Sequence, residues 1–216
     1  MELVEKNYCD EIESLLVDVF EPAGYQITQG VTLDPVPESV QYQGLRFSLN
    51  DKRIVYRKGK LTSDRPGAFL AVWQRPLSAS MHVNKTSDAI KPDKPNKPIP
   101  LTASELDYLL IQVESHSPVL EEHDAATNPS TKFKSKRGLF IFPISILIEK
   151  GIVSSPKHKG KAGFRVFPPW SQDRGDVGTK VFSESGKKTQ RWQLTFFVAI
   201  DDNGAIDARE VNKLLT

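Results

Sequence analysis

Two stretches of sequence decide the fold: LDYLLIQV at 106–113 and GLFIFP at 138–143. Each is a short apolar run rich in β-branched or aromatic residues, which is typical of a buried strand. We expect the two strands to pair as a hairpin across a polar loop at 114–136. A short helix at 144–150 follows, and Gly151 is suited to end it because glycine adopts the left-handed backbone conformation at helix C-termini.

Further strand patterns lie on both sides of this hairpin, each bounded by turn residues. The predicted strands cover residues 41–48, 53–58, 67–74, 163–167 and 192–200. The segment 77–102 is rich in proline and lysine, and we expect it to form an exposed excursion from the domain.

Helical patterns occur near both ends of the chain. Residues 7–20 carry apolar side chains at the spacing of one helix face, and residues 201–215 contain a turn followed by a helix. This order of elements predicts an α+β fold, in which a mixed or largely antiparallel central sheet is flanked by an N-terminal and a C-terminal helix. We expect one domain that spans residues 1–216.

Positive charge is concentrated in the second half of the chain. Residues 131–191 carry a net charge of +10, whereas residues 1–130 carry a net charge of −6. A segment with this charge is expected to attract phosphate-rich partners. The alternative is that its lysines form ion pairs with the acidic first half, and the sequence leaves that alternative open.

Composition excludes several classes of protein. The one cysteine, Cys9, allows no intramolecular disulfide, which is typical of the reducing cytoplasm. No secretory signal is present, and the longest apolar run, 140–148, is too short for a bilayer, so we expect a cytoplasmic protein without a membrane partner. Phosphate-binding loops, dinucleotide fingerprints, nucleophile elbows and His/Cys metal spacings are absent. The sequence therefore indicates no cofactor and no metal, and it identifies no catalytic residue.

Three clusters combine cations with aromatic and small residues. The first contains Lys60 and Thr62 and continues to Phe69, Trp73 and Arg75. On one strand, the last three side chains would share a face and place the guanidinium beyond the indole at the rim of the sheet. The alternative is that both aromatics belong to the core and that Arg75 reaches from it into solvent.

The second cluster contains Lys161, Arg165 and Trp170 among glycines and prolines. Lysine supplies a point charge, arginine binds a phosphate through two parallel hydrogen bonds, and an indole provides a stacking surface for a base. The third cluster contains Lys188 and Gln190 at the entrance to the predicted strand 192–200. The alternatives are a basic loop packed for structural reasons and a solvated charged face.

Several longer strings occur in a characteristic order. They are GAFLAVWQR at 67–75, LFIFP at 139–143, ILIEKGI at 146–152, GKAGFRVFPPW at 160–170 and KKTQRWQLTFF at 187–197. In these strings the sequence resembles the MepB-like proteins over about residues 42–200. It departs from the family pattern at Ser63, Arg65 and Gln74, where relatives carry a proline, a lysine and often a basic residue.

The resemblance implies a family without an established activity. The layout is also similar to nuclease-like folds of the PD-(D/E)xK class, although a likeness of fold does not imply catalysis. The favoured hypothesis is a protein that binds nucleic acid or another phosphate-rich ligand through a basic, aromatic-lined surface. A metal-dependent nuclease, with the scattered candidates Glu38, Asp64 and Asp107, and a small-molecule or protein-interaction module are the alternatives. The oligomeric state is not indicated.

Overall fold

The computed structural model describes residues 2–74, 99–115, 136–171 and 181–215, and it gives residues 2–7, 37 and 38 by their backbone alone. The helices in these ranges are α1 (Glu2–Leu15), α2 (Ile144–Glu149), α3 (Glu184–Gln193) and α4 (Ala208–Leu214). A π-helical turn at Leu16–Phe20 continues α1, and 3₁₀ turns lie at Pro37–Tyr42 and Leu194–Phe196.

The strands form one large sheet and smaller ones. They are β1 (Ile27–Leu33), β2 (Leu45–Leu49), β3 (Lys52–Lys58), β4 (Lys60–Thr62), β5 (Arg65–Ala71), β6 (Trp73–Gln74), β7 (Ile99–Pro100), β8 (Tyr108–Glu114), β9 (Arg137–Pro143), β10 (Gly163–Val166) and β11 (Phe197–Ile200). The large sheet has the order β1-β2-β3-β8-β9-β11. Neighbouring strands in this sheet are antiparallel, except that β3 and β8 pair in parallel.

The predicted hairpin lies at the centre of this sheet. Strands β8 and β9 pair in antiparallel register, with Leu110 opposite Ile141. Six of the seven β8 residues are buried, because both faces of the sheet are covered. The predicted fold class is therefore confirmed as α+β with a mixed, largely antiparallel sheet.

Helices cover one face of the large sheet. Ile12 of α1, Phe20 of the π-helical turn and Val211 of α4 pack there against alternate strand residues such as Tyr56 and Leu110. The predicted N-terminal and C-terminal helices thus flank the sheet on the same side. Among the described residues, no helix is long and apolar enough to cross a bilayer.

A three-stranded sheet with the order β10-β5-β4, called here the small sheet, covers the opposite face. Leu70 of β5 and Val166 of β10 share a core with Ile111 of β8 and Leu147 of α2. Strands β4 and β5 belong to the connection between the parallel strands β3 and β8, so this crossover is built partly from strands.

The predicted strand 67–74 was wrong in its second half. Strand β5 ends at Ala71, and the Val72 amide donates to the Ala162 carbonyl oxygen at 2.9 Å. Trp73 begins the separate strand β6, which pairs with β7. Phe69 and Trp73 therefore do not share the face of one strand.

The predicted excursion 77–102 was also wrong at its end. Residues 75–98, which include Arg75, lie outside the described residues. Ile99 and Pro100 form β7, and Leu101 is fully buried in the core, with backbone hydrogen bonds to Val72 and Ser154. Of the predicted polar loop, residues 116–135 lie outside the described ranges, while Glu114 is the last residue of β8.

The predicted strand 192–200 was wrong over its first half. Residues 192–193 end α3, a 3₁₀ turn follows, and only Phe197–Ile200 form a strand. Helix α3 begins after Ser183, whose hydroxyl accepts a hydrogen bond from the Gly186 amide as an N-cap. Since the third cluster lies in α3, its cations are on a helix and not at the entrance of a strand.

Candidate functional site

A row of three side chains crosses the small sheet. Lys60 of β4 is opposite Phe69 of β5, and Phe69 is opposite Arg165 of β10. Residues directly opposite one another in a sheet point to the same face, so the three side chains share one face. The structure thereby brings the first and second sequence clusters together.

Arg165 is held within this row. Its Nη2 donates to Thr62 Oγ1 at 2.7 Å, its Nη1 donates to the Gly67 carbonyl oxygen at 3.2 Å, and its Cζ lies 5.8 Å from the centre of the Phe69 ring. Burial lowers the pKa of the guanidinium, and the nearby Asp64 carboxylate opposes that effect. Arg165 therefore ties β10 to β4 and β5, and Thr62 is its acceptor.

Gly67 shows why this corner of the sheet requires a glycine. Its φ is +75°, and a Cβ there would lie 2.5 Å from the Phe167 ring and 2.6 Å from the Val166 carbonyl oxygen. Any other residue would combine backbone strain with an overlap against β10. The glycine thus permits the close approach that places Arg165 beside Thr62.

Lys161 lies in the loop that leads into β10. Its backbone amide donates to the Ile152 carbonyl oxygen at 2.9 Å, while its side chain is exposed. Lys157 and Lys159 of the same loop are exposed as well. This loop supplies three exposed cations shortly before β10 along the chain.

The third cluster is joined to β10 by a glutamine that the sequence analysis did not single out. The side chain of Gln193 is fully buried, accepts from the Phe167 amide at 2.9 Å and donates to the Arg165 carbonyl oxygen at 2.9 Å. It therefore bonds the edge of β10 as a neighbouring strand would. In the sequence this glutamine is distinguished only by its place at the end of the basic string 187–193, and nothing there indicates its burial.

Gln190, one turn earlier on α3, points to the same side. Its Nε2 donates to the Pro168 carbonyl oxygen at 2.9 Å, so it holds the chain after β10. Lys188 and Arg191 are exposed and lie three positions apart, which puts them on one helix face. All three predicted clusters thus occupy elements that contact β10 or lead into it.

The tryptophans of the clusters are half-buried and contact the core. Trp73 packs on the core between the two sheets, and Trp170 meets Phe197 edge-to-face at 5.6 Å between ring centres. Trp192 lies 5.6 Å from Phe142, and the Lys150 ammonium lies 5.4 Å from its ring. Their packing is the alternative that the sequence left open for these aromatics.

Charge pairing differs between the two halves of the chain. In the described part of residues 131–191, the cations in ion pairs are Lys150, with Glu149, and Lys187, with Glu184, both close neighbours in sequence. The sequence left open that the lysines of this segment form ion pairs with the acidic first half. No such ion pair is seen among the described residues. Among the described residues of this segment, the exposed cations without an ion pair include Lys157, Lys159, Lys161, Lys188 and Arg191; Lys60 on β4 is exposed and also lacks a described ion pair.

Two cations close to the first cluster have other roles. Arg57 is almost fully buried, donates to the Asp34 carboxylate and also donates to the Tyr56 carbonyl oxygen at 2.8 Å. Lys58 forms an ion pair with Glu114 at 3.0 Å. Of the three cations between residues 56 and 62, Lys60 is therefore the one that is exposed and has no described ion pair.

The carboxylates considered for a metal lie apart. Asp107 binds Arg53 in a bidentate arrangement with both distances 3.0 Å, and this hydrogen bonding lowers the pKa of the Asp107 carboxyl. Asp64 is beside Arg65 at the exposed β4–β5 turn, and the side chain of Glu38 is outside the described atoms. Within the described ranges, no group of three His, Cys, Asp or Glu side chains could hold a metal ion.

Two cavities lie near these elements. One of about 260 Å³ is lined by Lys58, Gly59, Lys60 and Leu61 together with Gln43 and Glu114. The other, of about 480 Å³, lies beside α1 and is lined by Asp10, Glu11, Asp18 and Arg137 among others. Lys161, Arg165 and Lys188 line neither of these two cavities.

Comparison with known proteins gives one family and one similar fold. Residues 37–94 and 122–199 match the model of the MepB-like family. A solved structure described as the crystal structure of MepB is similar with a TM-score of 0.55 and 25% sequence identity, covering 81% of this chain and 87% of that chain. A search of curated proteins found no match.

Proposed function

This chain belongs to the MepB-like family, and we propose from its own basic residues that it binds nucleic acid through the surface around β10. The phosphate-binding residues in this proposal are Lys60, Lys161, Lys188 and Arg191, and Arg165 contributes the positive charge of its held guanidinium. Another phosphate-rich polymer would satisfy the same charges. We also propose a cytoplasmic location, since the single Cys9 is in keeping with a reducing compartment.

One observation carries the proposal: exposed cations without ion pairs are gathered on β4, on the loop before β10 and on α3. A lysine already paired with a carboxylate would have to exchange one partner for another on binding a phosphate. An unpaired lysine releases only counterions from the nucleic acid, which is favourable at low salt. The arrangement of these residues over several elements suits a long ligand better than a compact one.

Binding of labelled 20-residue oligonucleotides, followed by fluorescence anisotropy, tests the proposal. If about four phosphates are neutralised, affinity should fall roughly 100-fold between about 50 mM and 200 mM salt. Replacing Lys60, Lys161 and Lys188 together by alanine should weaken binding about tenfold or more at the lower salt concentration. A matched control replaces Lys52, Arg209 and Lys213, which removes the same charge from other elements.

Two results would contradict the proposal. The first is an absence of oligonucleotide binding at about 50 mM salt. The second is an equal loss of affinity in the control variant, because binding would then depend on net charge alone. Circular dichroism of both triple variants establishes that exposed substitutions have left the fold intact.

A further inference from the structure

We propose that the ligand is double-stranded nucleic acid, bound through its phosphates without base stacking. This inference rests on the proposed function and makes it more specific. Binding of a single strand without sequence preference generally uses aromatic rings that present a free face to the bases. In the described residues, cations are exposed on the surface, whereas the aromatic rings are buried or half-buried.

The aromatic rings beside the cations are already in contact with other groups. Phe69 lies beneath the Arg165 guanidinium and 6.2 Å from Tyr42, and its ring tip occupies the space that a side chain at position 163 would need. Phe167 stacks on Phe182 with 4.9 Å between ring centres. None of the aromatic side chains in the described ranges is exposed.

Trp170 and Trp192 are also in contact with other side chains of the protein. The Nε1 atom of Trp170 is buried, while its ring meets Phe197 edge-to-face. Trp192 has Phe142 on one side and the Lys150 ammonium near its ring. Each of these two tryptophan rings is half-buried and already has a protein contact, whereas the lysines around β10 are exposed to a phosphate.

The distribution of the cations fits a duplex. Lys60 and Arg165 are separated by two strand spacings, roughly 10 Å, and α3 adds Lys188 and Arg191 beyond the other edge of β10. A duplex presents about one phosphate charge per 1.7 Å of its axis, on two strands and on a stiff support. It can therefore neutralise cations spread over several elements without the ordering that a flexible single strand requires.

The test compares one 20-residue sequence as a single strand and as a duplex with the unmodified protein. Affinity is measured at several salt concentrations, and the fluorescence of the three tryptophans is recorded in the same titrations. We expect the duplex to bind at least about fivefold more tightly, without quenching of tryptophan fluorescence. The double variant Lys188→Ala/Arg191→Ala should reduce the salt slope for the duplex by about 2, whereas Lys52→Ala/Arg209→Ala should leave it unchanged.

The outcomes separate this inference from the proposed function. A single strand that binds as tightly as the duplex, or that quenches tryptophan fluorescence, overturns the duplex inference while nucleic-acid binding stands. Binding of neither form removes the proposed function, and the inference with it. An unchanged salt slope in Lys188→Ala/Arg191→Ala also contradicts the inference, because α3 would then make no phosphate contact.

Discussion

At the scale of single residues, the cations of this protein divide into buried and exposed groups with different roles. Arg57 and Asp34 form an ion pair from which solvent is almost excluded, and Arg46 Nε lies 3.6 Å from the same carboxylate. Burial lowers the pKa of the Arg57 guanidinium, and the Asp34 charge opposes this effect. Arg57 therefore needs its carboxylate, while Lys60, three residues later and exposed, has no ion pair among the described residues.

Removal of the Asp34 carboxylate should strongly destabilise the fold. Asp34→Asn leaves the buried Arg57 without a counter-charge, and we expect a loss of about 3–5 kcal/mol in the free energy of unfolding. Denaturant unfolding measures the change. Asp64→Asn is the control, since Asp64 faces Arg65 in solvent and should leave the midpoint of unfolding unchanged. Equal, small effects at the two positions would contradict the role assigned to the buried pair.

Asp107 gives a prediction about pH. Hydrogen bonds from Arg53 lower the pKa of its carboxyl below the ordinary value of about 4. A carboxyl with a lowered pKa in the folded state stabilises the fold above its unfolded pKa, and this contribution is lost as the pH falls through the folded pKa. Asp107→Asn should therefore flatten the decline in stability below about pH 5, as measured by urea unfolding at stepped pH values. An unaltered decline would show that the pair contributes nothing.

At the scale of elements, β10 depends on α3 through one side chain. Gln193→Leu would leave the Phe167 amide and the Arg165 carbonyl oxygen without their partner inside the fold. Each unsatisfied buried group costs about 1–3 kcal/mol, so the free energy of unfolding should fall by a similar amount or more. Gln190→Leu is the matched control, because it removes only the bond to the Pro168 carbonyl oxygen. Thermal unfolding of both variants makes the comparison, and a larger effect at Gln190 would refute the role given to Gln193.

The elements that the sequence predicted well are those whose side chains carry their own burial signal. Strands β8 and β9 each contain an apolar run of buried residues, because both faces of the sheet are covered. Strand β1 was not predicted, since it is a largely exposed edge strand with Gly30 at its centre and irregular pairing to β2. Helix α3 was missed because it has few apolar residues and is fixed by Gln193, a polar side chain, rather than by an apolar stripe.

At the scale of the whole molecule, sequence clusters located the candidate surface but not the role of each residue in it. Charge and composition were sufficient to select Lys60, Lys161 and Lys188, which are exposed. They could not show that Thr62 accepts from Arg165, because that bond joins positions 103 residues apart. Long-range contacts of this kind are set by the assembled fold and leave no periodic trace in the sequence.

The strand β10 that organises this surface also has a consequence for how the protein reaches its folded state. Its pairing with β5 places Arg165 opposite Phe69, 96 residues earlier in the chain, whereas the β2–β3 hairpin pairs Leu49 with Lys52, three residues later. Loop-closure entropy slows long-range pairing relative to local pairing. After dilution from denaturant, hairpin formation should therefore precede the docking of β10. A chain still being synthesised cannot display the whole surface around β10 until α3 has been made.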